Sequence, residues 1–220
     1  MWNETTFSML VQGIGETIYM TVLSTIFAYI IGLPIGIFLV TSAKKGIRPR
    51  AWLYKILDII VNLTRSVPFL ILLVAIIPFT RLITGTTIGS TATIVPLTIS
   101  AAPFVARLVE SSLKEVDDGI IEAAQSMGAS NLQLVWKVLL PETRPSLLIG
   151  CAIAITTVLG YSAMAGFVGG GGLGTIAINY GYYRYQNGIM LATVILLVIL
   201  VQVFQGIGMK AASVLDKRKK

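Results

Sequence analysis

Residues 18–40 read IYMTVLSTIFAYIIGLPIGIFLV, an apolar stretch without a single charged side chain. A helix crosses the hydrocarbon core of a bilayer with ~20 mostly apolar residues, so this stretch is long enough to span. Four more apolar runs follow it: about 59–80 with Arg65 near its start, about 88–106, about 146–168 and about 188–209. A soluble core explains scattered apolar residues at helical or strand spacing, not repeated uninterrupted runs of span length. Of the 220 residues 55% are apolar and 12% charged, about half the charge content of a soluble domain. The expected fold is an all-α membrane protein of five transmembrane helices, one domain over residues 1–220. The second and third runs, split by Arg81–Thr87, are read as a hairpin of two spans, with a re-entrant pair as the alternative.

The basic residues assign a side to each connection. Residues 41–58 hold Lys44, Lys45, Arg48, Arg50 and Lys55; residues 107–145 hold Arg107, Lys114, Lys137 and Arg144; the tail holds Lys210, Lys217, Arg218, Lys219 and Lys220. The opposite face holds Arg81 and Arg184. Five spans put the three basic segments on one side, and the bias of Lys and Arg toward the cytoplasm makes that side the inside. The N-terminus is therefore expected outside and the C-terminus in the cytoplasm. Residues 1–17 carry Glu4 and Glu16 and no Lys or Arg, so no cleavable signal peptide is expected and the first run is kept as a span. The net charge of +7 is read as this topology signal and as contact with membrane lipid, not as a nucleic-acid surface. The lone Cys151 sits in an apolar run and reads as a small packing residue.

The connection at 107–145 is too polar to span. Asp117 and Asp118, either of which suits a helix N-cap, stand ahead of Ile120, Ala124 and Met127 at helical spacing, and Gly128 fits the left-handed position that ends a helix. Ser130 with Gln133 three residues on makes a capping box, and Leu132, Val135, Trp136 and Leu139 supply an apolar face before Pro141. Two short helices joined at a glycine follow. Helices of that length are marginal alone, so they pack on the ends of their own spans or enter a groove on a soluble partner.

The string Glu122-Ala123-Ala124, then Gly128, Val138 and Leu140-Pro141, resembles the EAA loop of binding-protein-dependent ABC importer permeases at every position of that pattern. The resemblance extends over nearly the whole chain. Arg65-Ser66-Val67-Pro68-Phe69, Pro96-Leu97-Thr98, Ala101-Ala102-Pro103-Phe104, the run 160–166, the glycines 169–172 with Leu173 and Gly174, and Tyr180-Gly181-Tyr182 are all similar to the methionine-uptake permeases. It implies a permease for D- or L-methionine that works as a homodimer, bound below by two copies of an ABC ATPase that hold ATP and Mg and above by a substrate-binding lipoprotein, in the bacterial cell membrane. It places the coupling to the ATPase at Glu122, Ala123, Ala124, Met127 and Gly128. No cofactor and no catalytic residue is expected on this chain, which has no Gly-Lys dipeptide and hence no Walker A loop.

Methionine is apolar at one end and zwitterionic at the other, so its path needs room and few fixed charges. Tyr161, Ser162, Ala163, Met164, Ala165 and Gly166 offer this, with Met164 the one large flexible side chain among small ones. Tyr161, Ser162, Met164 and Arg65 are the candidate path residues, Met164 as a gate contributed by two copies. For Arg65 two roles stay open, contact with the substrate carboxylate or snorkelling to the cytoplasmic interface. The glycines at 169–172 are expected to form a flexible outer loop near the docking surface of the binding protein. An ion-coupled transporter would place an acid or His at mid-membrane depth; here Glu16, Asp58 and Glu110 fall at span edges and His is absent. A membrane-embedded enzyme would need a base that the spans lack. Another amino acid or a small peptide is the alternative cargo.

Overall fold

The computed structural model describes residues 4–215, and within them every regular element is helical. Lys217, Arg218, Lys219 and Lys220 of the basic tail lie outside the described residues. Helix α1 runs Glu4–Ser42, α5 Ser90–Leu113, α9 Arg144–Met164 and α11 Asn187–Leu215. By length and apolarity these four can each cross a membrane, α9 together with the 3₁₀ turn Ala165–Val168 that continues it. Between α1 and α5 lie α2 (Ala51–Ser66), α3 (Phe69–Ala75) and α4 (Ile77–Thr84).

One expectation is corrected here. The run at 59–80 is not one helix. It breaks at Pro68, whose φ of −57° and ψ of 134° are extended rather than helical, and again at Ile76 just before Pro78. Only α2 and α3 taken together qualify as a fifth candidate span, and they form a bent pair. Pro34, Pro96 and Pro103, by contrast, lie inside uninterrupted helices. A proline removes one ladder hydrogen bond and crowds the preceding turn; in long helices the remaining bonds and packing tolerate that loss, in the short Val67–Pro68 stretch they do not. Residues 4–17, to which the sequence reading gave no element, form the start of α1. At 39 residues and ~1.5 Å per residue, α1 is about 58 Å long, well beyond the hydrocarbon thickness.

The chain divides into two compact units that share the long helices. Among the described residues, one comprises 4–27, 67–101 and 155–205; the other 28–66, 102–154 and 206–215. In the first, Leu10 of α1 is buried with Leu173, Ile176 and Ile189, which explains why the polar start of α1 is helical: one face of it has a core to cover. In the second, Leu39, Val61 and Ala106 form a core with Ile35, Tyr54 and Leu57 packed on it. There α1 meets α5 through Gly32 and Gly36. A Cβ at Gly32 would lie 2.6 Å from the Ala102 carbonyl oxygen, and one at Gly36 2.7 Å from that of Ala106 and from the Val109 side chain. The small-xxx-small pair is thus a site of backbone contact, as its spacing suggests.

Gly36→Leu is expected to lower the thermal midpoint of the purified protein in detergent by several degrees, since overpacking costs ~1–3 kcal/mol. Gly206→Ala, where a Cβ meets nothing within 4 Å, should leave the midpoint unchanged or raise it. Equal midpoints for the two variants would remove the close approach as a determinant of stability.

Candidate coupling site

Segment 114–143 is built from local signals. The Asp117 carboxylate accepts a hydrogen bond from the Gly119 amide at 2.7 Å and opens α6, Asp118–Ser126. Met127 and then Gly128, at φ +80°, end it. The Ser130 hydroxyl accepts from the Gln133 amide while the Gln133 side chain accepts from the Ser130 amide, a complete capping box at the start of α7, Asn131–Gln133. A π-helical turn, Leu134–Leu139, follows, then α8, Leu140–Glu142. Pro141 has no N–H to give to the turn before it, and the wide turn precedes it directly.

The structure corrects the apolar face read from helical spacing. Leu134, Val135 and Leu139 are buried, whereas Leu132 and Trp136 are exposed. The expected face splits in two: Val135 and Leu139, four apart, are buried, and Leu132 and Trp136, also four apart, are not. In α6, Ala124 is buried but Ile120 is half exposed and Met127 83% exposed. Four large apolar side chains therefore face outward along one short segment. Glu122 and Ala123 are exposed too. Glu122 lines a cleft of about 400 Å3 with Asp118, Gln125, Lys45, Gly46 and Lys114. Among the described residues neither Asp118 nor Glu122 has an ion-pair partner.

The stems of this segment are tied by polar contacts that the sequence reading missed. Arg107 donates to Glu110 at 2.6 Å, to Asn62 at 2.9 Å and also to Asp58, joining α5 to α2. Lys114 pairs with the other oxygen of Glu110 at 2.7 Å, so this buried carboxylate lies between two cations. The Ser146 hydroxyl bonds Ser112 and Glu115 at 2.9 and 2.7 Å, joining the start of α9 to the end of α5. Glu110 is the buried member of this cluster, and its two oxygens hold Arg107 and Lys114 on one side of α5 while Arg107 keeps Asp58 and Asn62 on α2. Spacings of three and four between Arg107, Glu110 and Lys114 were the available signal; the partners on α2 had none.

The path candidates fall in different places. Tyr161 stacks on Phe69 with ring centroids 4.7 Å apart, fastening the helix after the Pro68 break to α9. Ser162 is buried and its hydroxyl donates to the Leu159 carbonyl at 2.7 Å. Met164, at the end of α9, is 45% exposed. These three share one unit, while Arg65, in the last turn of α2, belongs to the other, 6.0 Å from the Phe104 ring. The glycine turn is ordered, not loose. Glu16 accepts from the Gly172 amide at 2.7 Å, Thr17 from the Leu173 amide at 2.9 Å, and Thr93 donates to the Gly170 carbonyl at 3.0 Å.

Residues 32–208 match the family described as "Binding-protein-dependent transport system inner membrane component". The chain belongs to that family. It is 51% identical over 207 residues to a probable D-methionine transport system permease protein MetI of Vibrio cholerae, covering 94% of this chain and 92% of the relative. It is 50% identical over 164 residues to the D-methionine transport system permease protein MetI of Escherichia coli K12, covering 74% and 76%. Among solved structures it is similar to one described as inward-facing conformations of the MetNI methionine ABC transporter, with a TM-score of 0.97 and 47% identity over 98% of this chain and 100% of that one. An amino acid ABC transporter solved with histidines shares the fold, at a TM-score of 0.69 and 21% identity. The chain is a multi-pass, all-helical membrane permease.

Asp117→Ala removes the cap on α6, worth ~1 kcal/mol, and should speed amide exchange over 118–126 roughly fivefold. Gly128→Val forces a branched residue into the left-handed region and should act at least as strongly. Hydrogen–deuterium exchange read by mass spectrometry checks both; wild-type protection in each variant would show that these caps do not hold the segment.

Proposed function

We propose that this chain is the transmembrane subunit of an ATP-driven methionine importer, working as a homodimer with the path on the two-fold axis. Five spans, counting α2 with the helices after Pro68 as one broken span, put the N-terminus outside and segment 107–145 in the cytoplasm. Two copies of an ABC ATPase, which hold the ATP and Mg, each grip one 118–139 segment. A substrate-binding lipoprotein delivers methionine from outside.

The observation that carries this reading is the outward row of Ile120, Met127, Leu132 and Trp136 on helices too short to stand alone. An apolar row with no cover of its own marks a docking surface. It shares Met127 with the coupling set of Glu122, Ala123, Ala124, Met127 and Gly128 and flanks the rest of it. Closure of the ATPases on nucleotide draws the two segments together. The motion passes along α5, α2 and α9, which the Arg107–Glu110 and Ser146 contacts tie to the segment's stems, and the helices swing from inward-open to outward-open. Met164, exposed at the end of α9, forms part of the gate; Tyr161 holds the broken span against α9, and Ser162 is the buried small residue between them in sequence. Arg65 sits at the cytoplasmic margin of the path. The cargo follows from the names of the relatives, both D-methionine permeases.

Proteoliposomes holding this chain with its ATPase, supplied with the binding protein, should take up labelled methionine only with internal ATP, and unlabelled methionine should compete. Uptake that survives ATP depletion and collapses with an uncoupler would contradict the motor assignment; competition by another amino acid and not by methionine would contradict the cargo. Glu122→Lys should lower uptake per ATP hydrolysed by about tenfold or more, or loosen the ATPase from the membrane; unchanged assembly and uptake would remove Glu122 from the coupling. Met164→Ala with both ATPase activity and uptake as in wild type would remove Met164 from the gate.

A further inference from the structure

Helix α10, Gly172–Ile176, is five residues long, and its N-cap, Gly171, has no side chain to bond it with. The first amides of a helix have no partner within that helix. Here the partners come from the far end of the chain. The Glu16 carboxylate accepts from the Gly172 amide at 2.7 Å and the Thr17 hydroxyl from the Leu173 amide at 2.9 Å, each across 156 positions of sequence. The other Glu16 oxygen accepts from the Gln12 side chain, one turn back on α1, at 2.9 Å, so the carboxylate is held in place. Negative charge also suits the start of a helix.

The clasp is tight on both of its sides. Gly171 and Gly172 have φ of +83° and +68°. A Cβ on Gly171 would lie 3.0 Å from a Glu16 carboxylate oxygen, and one on Gly172 2.5 Å from the Thr17 hydroxyl and 2.6 Å from the Met20 methyl. Two neighbouring residues of α1 are thus matched to two neighbouring glycines. On its other side α10 touches the end of α9. A Cβ on Gly174 would lie 2.7 Å from the Ala163 Cα, and one on Gly166 2.5 Å from the Gly174 carbonyl oxygen. Backbone meets backbone on either side of Met164 in sequence, with no side chain between to absorb a shift. Where α10 stands, residues 163–166 stand too.

We propose that Glu16 and Thr17 are positioning residues for transport: by capping α10 from α1 they fix the end of α9, and with it the gate at Met164. The proposal rests on the importer reading above. Neither residue touches Met164, so each acts through α10. A clasp that served the fold alone would, when cut, lower hydrolysis and uptake in the same proportion as the folded protein. A clasp that sets the gate has a different signature. ATP hydrolysis continues, methionine slips back through the loosened gate, and uptake per ATP falls. Losing a hydrogen bond to a charged group shifts an equilibrium between a seated and a displaced gate by roughly tenfold or more.

The test uses the whole transporter, this chain with its ATPase, in proteoliposomes supplied with the binding protein. ATP hydrolysis, uptake of labelled methionine and ATP-free efflux from preloaded vesicles are read per folded transporter. Glu16→Ala and Thr17→Val should hydrolyse ATP within about twofold of wild type, take up roughly tenfold less methionine per ATP and leak faster by a similar factor. Glu16→Gln, whose amide oxygen still accepts from Gly172, should return both the ratio and the efflux to near wild type. Thr25→Val deletes another buried hydroxyl of α1, one that donates to Thr21 of the same helix, and should behave as wild type. Thr17→Val keeps the shape of its side chain and decides the matter where Glu16→Ala folds poorly. Wild-type uptake per ATP and wild-type efflux in Thr17→Val would overturn the proposal. So would hydrolysis and uptake that fall in equal proportion, or a Glu16→Gln that leaks as fast as Glu16→Ala. A wild-type transporter that takes up no methionine with ATP would instead count against the importer reading.

Discussion

Inside hydrocarbon a backbone amide or carbonyl has no water to turn to, and an unmet group costs several kcal/mol. The long helices satisfy that constraint by construction; the interest lies in the places where the helix stops. At the Pro68 break the Pro68 carbonyl accepts from both the Ile71 and Leu72 amides, each at 3.0 Å. At the glycine turn the freed amides of Gly172 and Leu173 are met by Glu16 and Thr17 from α1. Thr17 serves twice, accepting there while its own hydroxyl donates to the Gly13 carbonyl at 2.8 Å. The first break is thus met within the helix that follows it, and the glycine turn by side chains of α1.

The segment between α5 and α9 follows different physics. It is polar, its helices are a few turns long, and what holds them is the pair of caps at Asp117 and Ser130 together with the few buried residues Ala124, Leu134, Val135 and Leu139. Stability so narrowly based contrasts with the stems, where the Glu110 and Ser146 contacts tie α5 to α2 and α9; the coupling role proposed above would need that combination of a marginal tip and tied stems.

Much of this was legible in the sequence because the signals were local. Uncharged runs gave four long helices and the general class. Asp117, Gly128, Ser130 and Gln133 marked the helix ends of the coupling segment where the structure has them, since a cap is a contact within a few residues. Gly32 and Gly36 marked a close approach because only a missing Cβ permits one. What stayed hidden depended on partners distant in sequence or on a break in period. Nothing in residues 4–17 announced that Leu10 would cover Leu173 and Ile189. The apolar face at 132–139 did not say which of its residues the chain itself covers, and only Val135 and Leu139 of that face are buried. A proline in a run does not say whether the helix tolerates it, and Pro68 broke its helix where Pro34 did not. The Phe69–Tyr161 stack and the Arg107–Asp58 contact join helices whose pairing no spacing encodes.

The most direct test of the central claim is a crosslink. With Cys151 replaced by serine and Met127 by cysteine, a short bifunctional reagent applied to the intact transporter should join this chain to its ATPase. The yield should change between nucleotide-free and ATP-bound states. A cysteine at position 127 that never reaches the ATPase, in a transporter that still hydrolyses ATP and takes up methionine, would contradict the account.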